Sequence, residues 1–202
     1  MRATTSSLLV RASRVTCVLW LLAVGVDGCG ASGPQPAASA AEAASDPTQD
    51  LIPAGSAGST KADRMTNPRY SACHASYQLT SQDIGVEVAK MAQGCAAVTK
   101  MHPLGDTFRG TQSAASAPQA FPFKAKAKHC YRAYGAAVAT IKDLDLVIKD
   151  STGAIAGEDS TDDPTPVVLE DGVVCFTEDD DASVITSVGD GAGAYAVQVW
   201  SD

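Results

Sequence analysis

Asp143 and Asp145 flank Leu144 in a stretch of alternating apolar residues, so both carboxylates fall on one face of a strand. Asp159, Asp162 and Asp163 follow one hairpin later. Oxygen ligands grouped in this way can hold Ca²⁺, at about 2.3–2.6 Å per contact, and Asp143, Asp145, Asp159 and Asp163 are the candidate ligands. The competing reading is structural: aspartates on strand rims and turns keep sheet edges solvated and unpaired. Glu178, Asp179, Asp180 and Asp181 read in this second way, as a charged turn.

Other chemistry is sparse. The sequence holds no Gly-x-Ser-x-Gly elbow, no His-Glu-x-x-His pair and no phosphate-binding loop. Its histidines are His74, His102 and His129, and His129 on an alternating stretch reads as a hydrogen-bonded core residue rather than a general base. Tyr195 and Trp200 can stack on a glycan or simply pack, and packing is the usual role of aromatic strand ends. A Zn²⁺ site lacks support, because no Cys-x-x-Cys occurs and His74 and His129 each adjoin a cysteine instead of standing one turn away. The sequence therefore predicts a protein that is not an enzyme. An enzyme with a dispersed, unrecognised site is the alternative.

The cysteines depend on compartment. Arg2, Arg11 and Arg14 precede a 12-residue apolar core at 15–26 and a small-residue exit, the three zones of a secretory signal. That core is too short for a membrane span, which takes about 20 residues. Cys17 lies inside it, and Cys29 follows it directly. Exported cysteines oxidise, so Cys73, Cys95, Cys130 and Cys175 imply two disulfides. Of three possible pairings, Cys73 with Cys95 and Cys130 with Cys175 would each staple one structural half. Loop entropy then gives about 3 and 4 kcal/mol.

The elements that position these groups follow from periodicity. Residues 30–60 are Ala, Gly, Ser, Pro or Thr at 24 of 31 positions, a composition that cannot bury enough apolar surface to order itself. They read as a disordered tether. Ile84, Val88, Met91, Cys95 and Val98 mark one face of a helix over 81–101, capped by Thr80 or Ser81. Met91 and Met101 read as core filling. Residues 106–120 read as a polar connector. Beyond them Phe123, Ala125, Ala127, His129, Tyr131 and Ala133 alternate with Lys124, Lys126, Lys128, Cys130 and Arg132, which predicts one strand with Cys130 on its lysine face. Further strands are expected over 143–149, 153–159, 165–170, 172–178, 182–188 and 194–200, separated by turn residues. The predicted fold is mainly β: an antiparallel β-sandwich or jelly roll with an N-terminal α-helical segment.

Two resemblances add to this. Val26-Asp27-Gly28-Cys29 resembles the lipobox of bacterial lipoproteins, with Asp27 departing from the usual small or apolar residue; the resemblance implies cleavage before Cys29 and lipidation of its thiol. The order DLDLVIK, Asp150-Ser151-Thr152-Gly153 and GAGAYAVQVW is similar to the pre-peptidase C-terminal (PPC) domain of secreted bacterial enzymes, a small β-sandwich, over about residues 120–202. The whole chain also resembles uncharacterised lipoproteins of myxobacteria, which imply no activity. The expected organisation is a signal peptide at 1–28, a lipidated cysteine and linker at 29–63, a helical segment at 64–119 and a PPC-like sandwich at 120–202, the last two forming one globular unit.

Charge narrows the partners. From Cys130 onward 15 acidic residues face 3 basic ones, while residues before it carry 8 acidic and 12 basic. Such an acidic domain is unsuited to nucleic acid. The sequence thus predicts a noncatalytic lipoprotein of the cell envelope, on the outer membrane or periplasmic face, or else secreted. Its partners are the membrane, through the lipid, and an extracellular protein or polysaccharide. A Ca²⁺-binding accessory module is the alternative; no other cofactor is expected.

Overall fold

The computed structural model of the chain describes residues 52–56 and 58–202. The stretch read as a signal peptide, Cys29 and the stretch read as a tether, up to residue 51, lie outside the described residues. In order, the described elements are β1 (Ile52–Ser56), β2 (Ala62–Thr66), α1 (Arg69–Ala72), α2 (Ile84–Thr99), β3 (His102–Pro103) and β4 (Phe108–Ser113). There follow β5 (Gln119–Ala125), β6 (Cys130–Ala137), β7 (Ile141–Lys149), β8 (Ile155–Glu158), β9 (Gly172–Phe176) and β10 (Asp180–Ser201). All the strand pairings are antiparallel, and the class is mainly β and sandwich-like.

Strand β10 is the organiser. Its first half pairs with β5 on one side and β7 on the other, and β7 continues to β8. Its second half pairs with β4 and β6, and β6 continues through β9 and β2 to β1. One 22-residue strand thus belongs to both layers. The change of layer falls at register shifts between Val188, Asp190 and Gly191. Gly191 has φ +98°, and a Cβ there would collide with the Thr140 carbonyl, so only glycine serves. The sequence expectation of two strands parted by a turn at Gly189-Asp190-Gly191 is corrected to one strand with a bulge at that point, because β7 carries its ladder through to Gly191 and β4 takes up the pairing at Ala192.

The two layers enclose a core of Phe123, Tyr131, Leu144, Leu146, Ile148, Phe176, Val184 and Val197. A second core lies between the other face of the β6–β9 layer and α2, built from Val88, Met91, Cys95, Met101, Tyr134, Ala136, Val173 and Trp200. Strand β6 sits in the middle and is buried at all eight positions. That resolves the expected strand of 123–133. Phe123 and Ala125 belong to β5, the chain turns at 126–129 with Lys128 at φ 68°, and β6 begins in the other layer. Cys130, Arg132 and Tyr134 face the helix rather than solvent beside the lysines, and His129 is exposed in the turn instead of buried.

Other boundaries move as well. β1 and β2 occupy 52–56 and 62–66, within or next to the stretch read as tether, because β9 offers β2 an unpaired edge and β2 offers one to β1. The polar connector contains β4, which pairs with β10 from Phe108 to Ser113. Residues 165–170 form no strand but contribute one bridge, Tyr134 to Val167, with Val167 and Val168 buried. In α2 the cap is Asp83, whose carboxylate accepts from the Gly85 and Val86 amides. Lys100, at φ 59°, closes the helix, its backbone N–H donating a hydrogen bond to the Ala96 carbonyl.

Two disulfides staple this arrangement. Cys73, just after α1, joins Cys95 in α2, and Cys130 joins Cys175 across the β6–β9 pair. They fit an oxidising, extracellular or envelope compartment. Among the described residues no helix is long and apolar enough to cross a membrane.

Candidate functional site

The aspartates singled out by the sequence share one neighbourhood. Asp143 on β7 stands opposite Asp190 on β10, and its Oδ1 is buried without a partner. Burial pushes the Asp143 carboxyl up, and the charges of Asp145, Asp162, Asp190 and Asp163 push it further. Burial likewise raises Asp159 to about 6, with Asp145 and Asp143 adding to the effect, although the Leu146 and Thr161 amides donate to it and act the other way. Asp145 accepts from the Ser187 hydroxyl at 3.1 Å, and Asp163 Oδ1 accepts from the Thr165 amide at 2.6 Å. The group is electrostatically coupled but not convergent. Among the described residues the one set of three possible ligand residues with atoms within 4.8 Å of one another is Cys73, His74 and Cys95, and the two sulfurs there are bonded together.

At the start of β10 the acidic turn has its own counterions. Lys126 pairs with Asp179 at 2.8 Å, Lys124 with Asp181 at 2.5 Å, and Lys61 with Asp180 at 2.9 Å and Glu178 at 3.2 Å. Burial would raise Asp180, but hydrogen bonds from Ser151 and Lys61 outweigh it and hold the carboxyl at about 2. Tyr195 and Trp200, weighed as a stacking surface, are both buried, and the Tyr195 hydroxyl lies 2.8 Å from that of Thr186.

A cleft of about 350 Å³ opens between residues 74–78, which follow α1, and the segment from Thr161 to Glu170 that joins β8 to β9. His74, Tyr77, Gln78, Thr161, Asp163 and Glu170 supply its polar lining. Each wall is fixed from behind. The Cys73–Cys95 bond ties the first wall to α2, and the Tyr77 hydroxyl donates to the carboxylate of Glu87 on that helix at 2.8 Å. Asp163 accepts from both the amide and the hydroxyl of Thr165, closing a tight turn in the second wall. Thr161 is one of the lining residues, and its Oγ1, covered from solvent, has no hydrogen-bond partner.

Behind His74 stands Arg132, the largest fully buried side chain among the described residues. Its guanidinium lies 5.4 Å from the ring centres of both Tyr70 and Tyr134, and Nη2 donates to the Glu170 carbonyl. Nε and Nη1 have no hydrogen-bond partner. Burial and the Arg132 charge both lower the His74 pKa, against weaker opposing effects of the Tyr70 carbonyl and Asp163. The imidazole is thereby kept in its neutral form, with one donor and one acceptor nitrogen.

Sequence reasoning placed Asp163 in a cation site; the structure makes it a wall of this cleft. It noted His74 only beside Cys73 and attached nothing to Gln78, Thr161 or Glu170. Arg132 carried no usable signal, since the alternation set it on the lysine face, whereas the structure buries it. In comparisons with known proteins the chain matches no family model and no curated relative.

Proposed function

We propose that this chain is a noncatalytic cell-envelope lipoprotein, anchored through Cys29, whose stapled β-sandwich binds an extracellular protein or polysaccharide in the cleft between residues 74–78 and 161–170. The observation that carries the reading is the cleft itself, concave, rigidly walled and lined by polar groups of which one, Thr161 Oγ1, is buried and unsatisfied. The leader and the lipobox-like segment support the anchor, and the likeness to PPC domains supports an accessory rather than catalytic role. The full chain, immobilised, is expected to retain a component of either the polysaccharide or the protein fraction of its native host's envelope, and Asp163→Asn is expected to weaken retention. Retention unchanged by that substitution defeats the cleft assignment. Mass spectrometry of the chain from its host tests the anchor: an unmodified Cys29 excludes it.

A Ca²⁺-binding accessory module is the second reading. It is favoured by the raised carboxyls of Asp143 and Asp159 and by the unpartnered Asp143 Oδ1, all of which a cation would relieve. The 159–163 segment already lies on β7, with the Asp159 amide donating to the Leu146 carbonyl and the Leu144 amide to the Asp163 carbonyl, so binding requires only that the carboxylates turn towards one point. Millimolar Ca²⁺ then raises the melting temperature of the full chain, and Asp159→Asn abolishes that rise; no rise removes the reading.

A further inference from the structure

Resting on the cleft as a ligand site, we propose that its ligand is a pyranose unit of a glycan, neutral or amino-bearing, held by Thr161, Asp163 and Gln78 against the Tyr77 ring. The lining has the functional groups this chemistry uses. Asp163 spends Oδ1 on Thr165, which leaves Oδ2 to accept from a sugar hydroxyl. Thr161 Oγ1 can both donate and accept, has no protein partner, and reaches the ligand when its side chain rotates from its covered position into the cleft. Gln78 brings an exposed amide with a donor and an acceptor to the rim.

Tyr77 serves differently. Its hydroxyl is committed to Glu87, both to the carboxylate at 2.8 Å and to the main-chain carbonyl at 3.0 Å, so the ring is held in place and offers apolar surface to the C–H face of a sugar. The volume of about 350 Å³ is at the small end of ligand sites, which suits one or two rings and not the broad surface of a folded protein.

Electrostatics select among sugars. Asp163 and Glu170 both line the cleft, so a uronate would set its carboxylate against two like charges. Arg132 does not compensate, because it is buried and absent from the lining, and the neutral His74 brings no positive charge to meet a uronate. An amino sugar gains from the same carboxylates.

Ligand-observed NMR on the full chain at pH 7 tests this with the methyl glycosides of glucose, galactose, mannose, glucosamine and glucuronate. At least one neutral or amino glycoside is expected to bind, at least tenfold tighter than the glucuronate. Thr161→Val and Gln78→Ala are each expected to weaken it tenfold or more, while the melting temperature and both disulfides are retained. Gln78 is exposed, so its variant keeps the test open if Thr161→Val misfolds. A preference for glucuronate, affinity unchanged in Gln78→Ala, or silence across the panel overturns the assignment. Silence together with loss of envelope retention in Asp163→Asn means a protein occupies the cleft: the sugar then fails and the cleft stands. Retention and glycoside binding that both ignore the variants defeat the two together.

Discussion

Two buried charges face the same helix-covered layer and are treated in opposite ways. Glu87 on α2 is fully buried, and its carboxylate accepts from the Thr80 amide at 2.7 Å, the Tyr77 hydroxyl at 2.8 Å, the Thr80 hydroxyl at 3.2 Å and the Lys90 ammonium at 3.3 Å. Burial alone would raise this carboxyl, but those bonds outweigh it and hold it at about 2. Arg132 on β6 is equally buried, yet only Nη2 has a partner and two tyrosine faces replace counterions. Burying a charge is tolerable when its hydrogen-bonding capacity is filled, and costly when it is not. Glu87 therefore organises the chain around it, whereas Arg132 is left underpaired with its charge acting on His74.

Hydrophobic replacement separates the two. Glu87→Leu strands the Thr80 amide, removes the acceptor of the Thr80 hydroxyl and leaves Tyr77 only the main-chain carbonyl, and it is expected to cost about 4 kcal/mol in urea unfolding, the largest of the expected losses. Next, Cys73→Ala with Cys95→Ala is expected to cost about 3 kcal/mol through the released loop. Arg132→Met carries the opposite sign. It removes an underpaired buried charge while keeping apolar volume between the tyrosines, and a gain of about 1 kcal/mol is expected. If Arg132→Met and Glu87→Leu destabilise alike, the contrast between them is broken.

The acids also divide by the direction of their shift, and pH reads the division. Glu87 and Asp180 titrate below their ordinary values, so the stability they contribute is full above those values and is lost as pH falls from about 4.5 towards 2. Asp159 titrates higher in the folded chain than in the unfolded one. The native state then holds its proton more tightly, so its penalty is absent below its ordinary value, grows as pH rises through the window from 3.8 to about 6, and is complete above. Stability is expected to peak near pH 4.5, by about 1 kcal/mol over pH 7. Asp159→Asn flattens the upper arm of that curve and leaves the acid arm in place, as chemical unfolding at each pH would register.

What was legible in the sequence tracks how local the cause is. The helix, the β7 strand and the hairpin to β8 follow from spacing within a dozen residues, and the cysteines from compartment and number. Strand β10 was not legible as one element, because Gly189, Asp190 and Gly191 read as a turn until β4 and β7 are present to carry the ladder past them. β6 was misjudged for a related reason: alternation reports one wet face, and here α2 dries it. The cleft was least visible. Its walls are about 80 residues apart in sequence, and neither contains a motif; the aspartates drew the eye by composition, while Thr161 matters only through the partner it lacks.

The smallest effect sharpens the comparison most. In the folded chain, burial is the chief cause of the depressed His74 pKa and the Arg132 charge the next. Arg132→Met deletes the charge but not the burial, so the imidazole is expected to titrate higher than in the parent chain while staying below its ordinary value, as followed by the ring resonances of His74. A His74 midpoint that does not move means that desolvation alone holds the ring neutral. Arg132 would then stand apart from the cleft, and the second buried charge would be a packing accident held by Tyr70 and Tyr134. A midpoint that rises ties Arg132 to the cleft through one imidazole, a coupling that Glu87, joined to the same wall through Tyr77, makes through a hydrogen bond.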